Sequence, residues 1–304
     1  AAAGPPRRRG RPARWSARAR GAAAALVAAV VLTGLVATPG GRAAASSFLA
    51  QFRSQRFEVV ALDPSQATEV GGVLTGLVET GVFRADPTAR LDLGEPQEVR
   101  DLGEAARLAG FPVQALDPSV VPAGVDDTPG RILVTEARDL RVTFDRDRAL
   151  DYLRRNGRPD LQVPERYDGT ELVVRVPAAV VQAYLGRDGG PRLLVGKAGT
   201  VGLDTDGGAT LEELRELVLR LPGLPPEVVR QLRDIDDWRN TLPLPVPAGQ
   251  VQWRDATVQG AEAVGFADPN GRLHALLWQR DGNIWGVAGV IGAEEAQRAA
   301  DSLG

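Results

Sequence analysis

Residues 258–291, VQGAEAVGFADPNGRLHALLWQRDGNIWGVAGVI, decide the fold class. Asn270-Gly271 and Asp281-Gly282 are two-residue signals for type I′ turns, which need a positive φ at both central positions and match the twist of the strands they join. They predict an antiparallel meander of about Val258–Ala267, Arg272–Arg280 and Asn283–Ile291. The turns also set the register. Around Asp281-Gly282, Trp278 faces Trp285 and Leu276 faces Val287. Around Asn270-Gly271, Leu276 faces Gly265 and Trp278 faces Ala263. Two indoles therefore lie side by side on one face, with small residues on the neighbouring strand, and such cross-strand aromatic pairs contribute roughly 0.2–1 kcal/mol. Trp278, Trp285, Leu276 and Val287 form a candidate apolar groove for an acyl chain or a partner segment; core packing is the plainer use of the same residues. A last helix, Ala293–Leu303, can lay Ala296, Ala299, Ala300 and Leu303 on that sheet.

Upstream, Thr210 and Glu213 form a capping box. Leu211, Leu214, Leu217, Val218 and Leu221 follow at helical spacing, and Pro222-Gly223 stops the helix. A second helix starts at Pro225-Pro226 and runs to about Trp238, with Pro at a tolerated first position. Leu242–Pro247 is read as a rigid extended connector. Asp101–Ala109 is a short helix with Gly110 just past its end, and Asp147–Asn156 is another, ended by Gly157. Strands are expected at Val59–Leu62, Ile132–Thr135, Leu140–Phe144, Leu172–Val176 and Leu193–Val195. Ala178–Leu185 is ambiguous. Phe48–Phe57 is a short amphipathic helix or an early strand. Val70–Phe83, apolar and broken by glycines, reads as more strand-like than helical. The fold class expected is α+β: a curved, mostly antiparallel sheet with helices on one face, preceded by an N-terminal signal or transmembrane helix.

The other end of the chain carries a different signal. Residues 1–45 hold eight Arg and no acidic residue, and Gly21–Ala37 runs 17 residues without a charge. Pro39-Gly40-Gly41 breaks any helix there, and Ala43-Ala44-Ala45 follows. A basic flank, an apolar run and an A-x-A site describe a secretory signal cleaved near Ala45. A retained anchor fits equally well, since a spanning helix needs roughly 17–25 apolar residues. In both readings the Arg cluster stays in the cytoplasm and the bulk of the chain goes outward. The organisation expected is a disordered basic segment at 1–20, a signal peptide or anchor at 21–45, and an extracytoplasmic α+β domain at 46–304 with a helical, Pro-rich insertion at about 205–250. The chain would lie in the cell membrane with its bulk outside, or be secreted.

Charge and composition narrow the partners. The net charge is −3. Setting aside residues 1–45 leaves 28 of the 36 basic residues against all 39 acids, a net of −11. Such an acidic surface argues against nucleic acid. With no Cys there are no disulfides, thiolate sites or acylated cysteine. Lys197 is the one Lys, which we read as base composition of the genome rather than function.

The remaining candidates are weighed residue by residue. His274, the one His, falls opposite Ala267 and Gly289 on the Trp278 face; with no G-x-S-x-G and few Ser it reads as a strand histidine rather than a base. Asp204-Thr205-Asp206-Gly207-Gly208 hints at a Ca²⁺ loop, but Arg215 stands where an EF-hand places its bidentate Glu, so a turn before Thr210 is the better reading. Asp234, Asp236 and Asp237 beside Trp238 suit a solvated helix face better than a carboxylate pair. Gly196-x-x-Gly199-x-x-Gly202 lacks the Lys-Ser/Thr of a phosphate loop. No catalytic residue, metal site or cofactor is assigned.

Glu104-Ala105, Gly110-Phe111-Pro112-Val113, Pro118 and Val121-Pro122-Ala123-Gly124 resemble the opening of an uncharacterised bacterial extracytoplasmic domain. Val258–Glu262, Leu276-Leu277-Trp278, Ile284–Gly289, Glu294-Glu295 and Ser302-Leu303 resemble its close. The similarity spans the last two-thirds of the chain, with a long insertion between about 145 and 250. Such domains occur in membrane-anchored anti-sigma factors, and related proteins look like outer-membrane lipoprotein-sorting or carrier proteins. The zinc-binding His/Cys bundle that such anti-sigma factors carry before the membrane is absent from residues 1–20. The resemblance implies a non-catalytic sensor or partner-binding domain whose partner is an envelope protein, a peptide or a lipid. The alternatives are a carrier that holds acyl chains in a curved-sheet cavity and, more remotely, a carboxylate-based hydrolase.

Overall fold

The computed structural model describes residues 56–85, 96–236 and 241–303. Of the element expected at Phe48–Phe57, residues 48–55 lie outside that range and Arg56 and Phe57 open a strand; Asp237–Trp238 and residues 1–45, with the segment read as a signal or anchor, also lie outside it. Among the described residues no helix is long and apolar enough to cross a membrane.

The fold is α+β, with six helices among the described residues and a large antiparallel sheet. The C-terminal meander is its frame. Strands β11 (Gln252–Val258), β12 (Ala261–Ala267), β13 (His274–Arg280) and β14 (Asn283–Gly289) continue through β8 (Pro191–Gly199), β7 (Ala179–Leu185) and β4 (Arg131–Thr135) to β3 (Gln97–Val99). All eight are antiparallel to their neighbours. The meander register is as expected: Trp278 pairs with Trp285 and Ala263, and Leu276 pairs with Val287 and Gly265. Asp281 and Gly282 both have positive φ, the type I′ signature. The other hairpin is wider than two residues. Its ladder ends at Ala267 and His274, and of Asn270 and Gly271 only Gly271 has a positive φ. There the Asp268 carboxylate accepts from the amides of Arg272 and Leu273, both at 2.6 Å, and so organises the loop itself.

The stretch expected as one strand from Val258 is two. Gln259 and Gly260, with φ of 51° and 83°, make a further tight turn, and β11 folds back along β12 as the edge of the sheet. Gln259-Gly260 is a weaker turn signal than Asn-Gly or Asp-Gly, which is why the sequence reading ran through it.

A second, four-stranded sheet orders β2 (Phe83–Ala85), β5 (Arg138–Phe144), β6 (Glu171–Val176) and β9 (Gly202–Asp206). Helices α1 (Pro64–Glu79), α3 (Arg146–Arg155), α4 (Leu211–Leu219) and α5 (Pro226–Arg233) share its core, which includes Leu77, Phe144, Leu153, Leu203, Leu214 and Leu232. Helix α1 corrects the strand-like reading of Val70–Phe83. Asp63 caps it, accepting from the Ser65 and Gln66 amides, while Gln66 returns a bond to the Asp63 amide, and Pro64 sits in the first turn. Val70, Val73, Leu74 and Leu77 then form one buried face at helical spacing.

Leu242–Pro247 is likewise not a connector but a strand, β10 (Thr241–Pro247), which pairs in parallel with β1 (Arg56–Leu62). Ala248 N donates to Leu62 O at 2.7 Å, so even-numbered positions face β1, and Pro243, Pro245 and Pro247 fall where no ladder donor is needed. Leu242 and Leu244 pack with Ala179, Ala198, Leu277 and Ile284 on one face of the large sheet. On its other face lie α2 (Leu102–Ala109) and α6 (Ala293–Asp301), through Ala105 against Ile132, Val134 and Val180, and through Ala296, Ala299 and Ala300 against Trp278 and Val287.

Candidate functional site

Trp278 and Trp285 stack with ring centroids 6.3 Å apart and planes 11° from parallel. They are 1% and 7% exposed, and Leu276 and Val287 are buried with them beneath α6. The stack continues on β8. Lys197 pairs with Trp285, and its ammonium lies 4.5 Å from that ring centroid and 5.0 Å from the Phe111 centroid. It donates to the Pro112 carbonyl at 2.9 Å. Burial pushes the Lys197 pKa down, against a smaller upward pull from Asp281.

Lys197 is one of three side chains that strap the segment 111–116 over this face. Gln182 Nε2 donates to Gln114 O at 2.8 Å, and the Leu116 amide donates to the Tyr184 hydroxyl at 2.8 Å, which in turn donates to Gln182 Oε1 at 3.1 Å. Gln182 is 3% exposed and Tyr184 fully buried, so each polar atom must find such a partner. Gly110-Phe111-Pro112 thus supplies the far wall of the indole stack. Lys197 stood out in the sequence only as the one Lys and was assigned no role, and Gln182 and Tyr184 did not stand out; the alternation Val180, Gln182, Tyr184 toward one face was the signal available once β7 was known as a strand.

The open volume lies beside the indoles. On the same face Arg254, Gly265 and Leu276 form one cross-strand row, and Gln252, Ala267 and His274 form the next. The central strand β12 offers only Gly265 and Ala267 there, so a trough one strand wide opens between β11 and β13, its walls about 10 Å apart at ~4.8 Å per strand spacing. Ala293, Ala296 and Gln297 of α6 close one side, and the cleft encloses about 430 Å³. Leu276 belongs to both the indole cluster and the cleft.

The chemistry of the cleft is a wall of small and apolar groups set with the Arg254 guanidinium, the His274 imidazole and the amides of Gln252 and Gln297. Among the described residues no acidic side chain lines it, in a chain with 39 acids. Arg254 is exposed and makes no ion pair among the described residues. His274 Nδ1 lies 2.9 Å from the Ile291 carbonyl; that acceptor assigns the proton to Nδ1 and leaves Nε2 as the acceptor of the neutral ring.

The other residues singled out are dispersed. Asp204 is exposed on β9 and ion-paired to Arg175, and Asp206 ends that strand. Asp234 and Asp236 are exposed beyond α5. Gly196 and Gly199 lie in β8 and Gly202 opens β9, a strand connection. Among the described residues no group of three His, Asp or Glu is placed to hold a metal. Compared with known proteins, the chain matches no family model, no curated protein and no solved structure.

Proposed function

We propose that this chain is a non-catalytic binding domain, displayed outside the cytoplasmic membrane by its N-terminal segment, that engages an envelope protein or peptide. The observation that carries the reading is the cleft between α6 and β11–β13: a preformed trough with an apolar wall, one guanidinium, one imidazole, two amide side chains and, among the described residues, no acid. It is suited to holding a segment of a partner. The Arg-rich flank and uncharged run of residues 7–37 support the outward orientation. The resemblance of the 104–124 and 258–303 motifs to the outer halves of anchored anti-sigma factors supports a sensing role for it.

An acyl chain is the competing occupant, as in a carrier with a curved-sheet cavity. A photo-crosslinking residue in place of Gln297, at the mouth of the cleft, separates the two in a bacterial host. The reading expects adducts of protein or peptide mass, and protease digestion of the domain in spheroplasts without lysis. Adducts of lipid mass alone would favour the carrier, and a domain protected until lysis would overturn the outward orientation.

A further inference from the structure

The cleft has an unusual border. Its outer wall, β11, is the last strand of the eight-stranded sheet, and no strand among the described residues pairs with its far edge. The Gln259-Gly260 turn closes between Val258 and Ala261, so Gln252, Arg254, Ala256 and Val258 exchange backbone bonds with β12. Trp253, Asp255 and Thr257 then turn their N–H and C=O groups outward. One hydrogen bond shows this directly: the Thr257 carbonyl accepts from Gln297 Nε2, a side chain of α6, at 2.9 Å. Short of Thr257, the edge is free over Trp253–Asp255 among the described residues.

The two faces of that edge differ in kind. Arg254 stands on the cleft side, without an ion-pair partner among the described residues. Trp253 stands on the opposite side, 43% exposed, with Phe266 and Ala275 continuing its row across the sheet. A strand added to this edge places alternate side chains against Arg254 and against Trp253. We infer that β11 is a docking edge for an extended peptide segment in which acidic and apolar residues alternate, the acidic one paired with Arg254 at the cleft mouth and the apolar one on the Trp253 ring. This rests on the binding reading of the cleft and names its ligand.

The test is selection from random dodecapeptides displayed on phage, panned on the full chain, with affinities of resynthesised binders measured on three variants. Binders are expected to alternate acidic and apolar residues. Arg254→Glu should weaken them ten-fold or more. Asp255→Pro should do the same, because it deletes an outward N–H and leaves the bonds to β12 in place; an unchanged melting temperature confirms its fold. Ala267→Trp fills the trough. Binders that lack acids and ignore Arg254→Glu and Asp255→Pro, yet are lost with Ala267→Trp, overturn the strand-addition inference and leave the cleft as a binding site. Recovery of no binder overturns both.

Discussion

Single residues set the hardest constraints. Trp278 is almost wholly buried between Trp285 and α6, and Trp278→Ala is expected to cost about 3–5 kcal/mol, measured by urea unfolding. Gly289 and Gly208 are needed for close approach rather than for a turn. A Cβ on Gly289 would overlap the Arg192 carbonyl oxygen, and one on Gly208 the Arg166 carbonyl oxygen. The same Arg166 forms a bidentate pair with Glu213, whose amide also closes the cap of α4. The Arg166 guanidinium, helped by the Thr210 amide, holds the Glu213 carboxyl at about 2, against its ordinary 4.5. A depressed carboxylate stabilises the fold above the ordinary pKa and loses that contribution as pH falls through the folded value. Glu213→Gln should therefore lower stability at pH 6, with the deficit shrinking between pH 4.5 and 2, as followed by denaturant melts across that range.

At the scale of elements, local chemistry was readable where caps and turns declared themselves. Thr210, Glu213, Asp101 and Gly110 bound their helices as expected. Thr210→Ala is expected to cost about 1 kcal/mol, visible as an earlier thermal transition. Elements were misread where a residue's usual meaning was overridden by its neighbours. Three glycines inside Pro64–Glu79 argued for a strand, yet the Asp63 cap and the buried face of Val70, Val73, Leu74 and Leu77 made a helix. Alternate prolines in Thr241–Pro247 argued for a connector, yet only even positions need donors there. The strap over the indoles is a third case. Lys197→Met keeps the stem but leaves the Pro112 carbonyl without its donor, so amide exchange at Leu116 should accelerate while the sheet amides of β8 stay protected.

In the whole molecule, α6 is what separates a sheet face from a core. It covers Trp278, Trp285 and Val287 with Ala296, Ala299, Ala300 and Leu303, and forms one side of the cleft with Ala293, Ala296 and Gln297. Truncation after Gly292 should expose the indoles. A red-shifted tryptophan emission and binding of an apolar dye are the readouts, and unshifted emission would contradict the packing described. The α+β class, the pairing of Trp278 with Trp285 and the place of the last helix were determined by the sequence itself, because turn residues and a period of two act over a few positions and fix register without help from elsewhere. The cleft and its border were decided only by tertiary structure. Arg254, Gly265 and His274 lie on three strands, and the trough between them exists because β11 folds back through a weak turn and α6 lands on the neighbouring row. Contacts between residues far apart in the chain depend on how elements pack, and no local pattern records that.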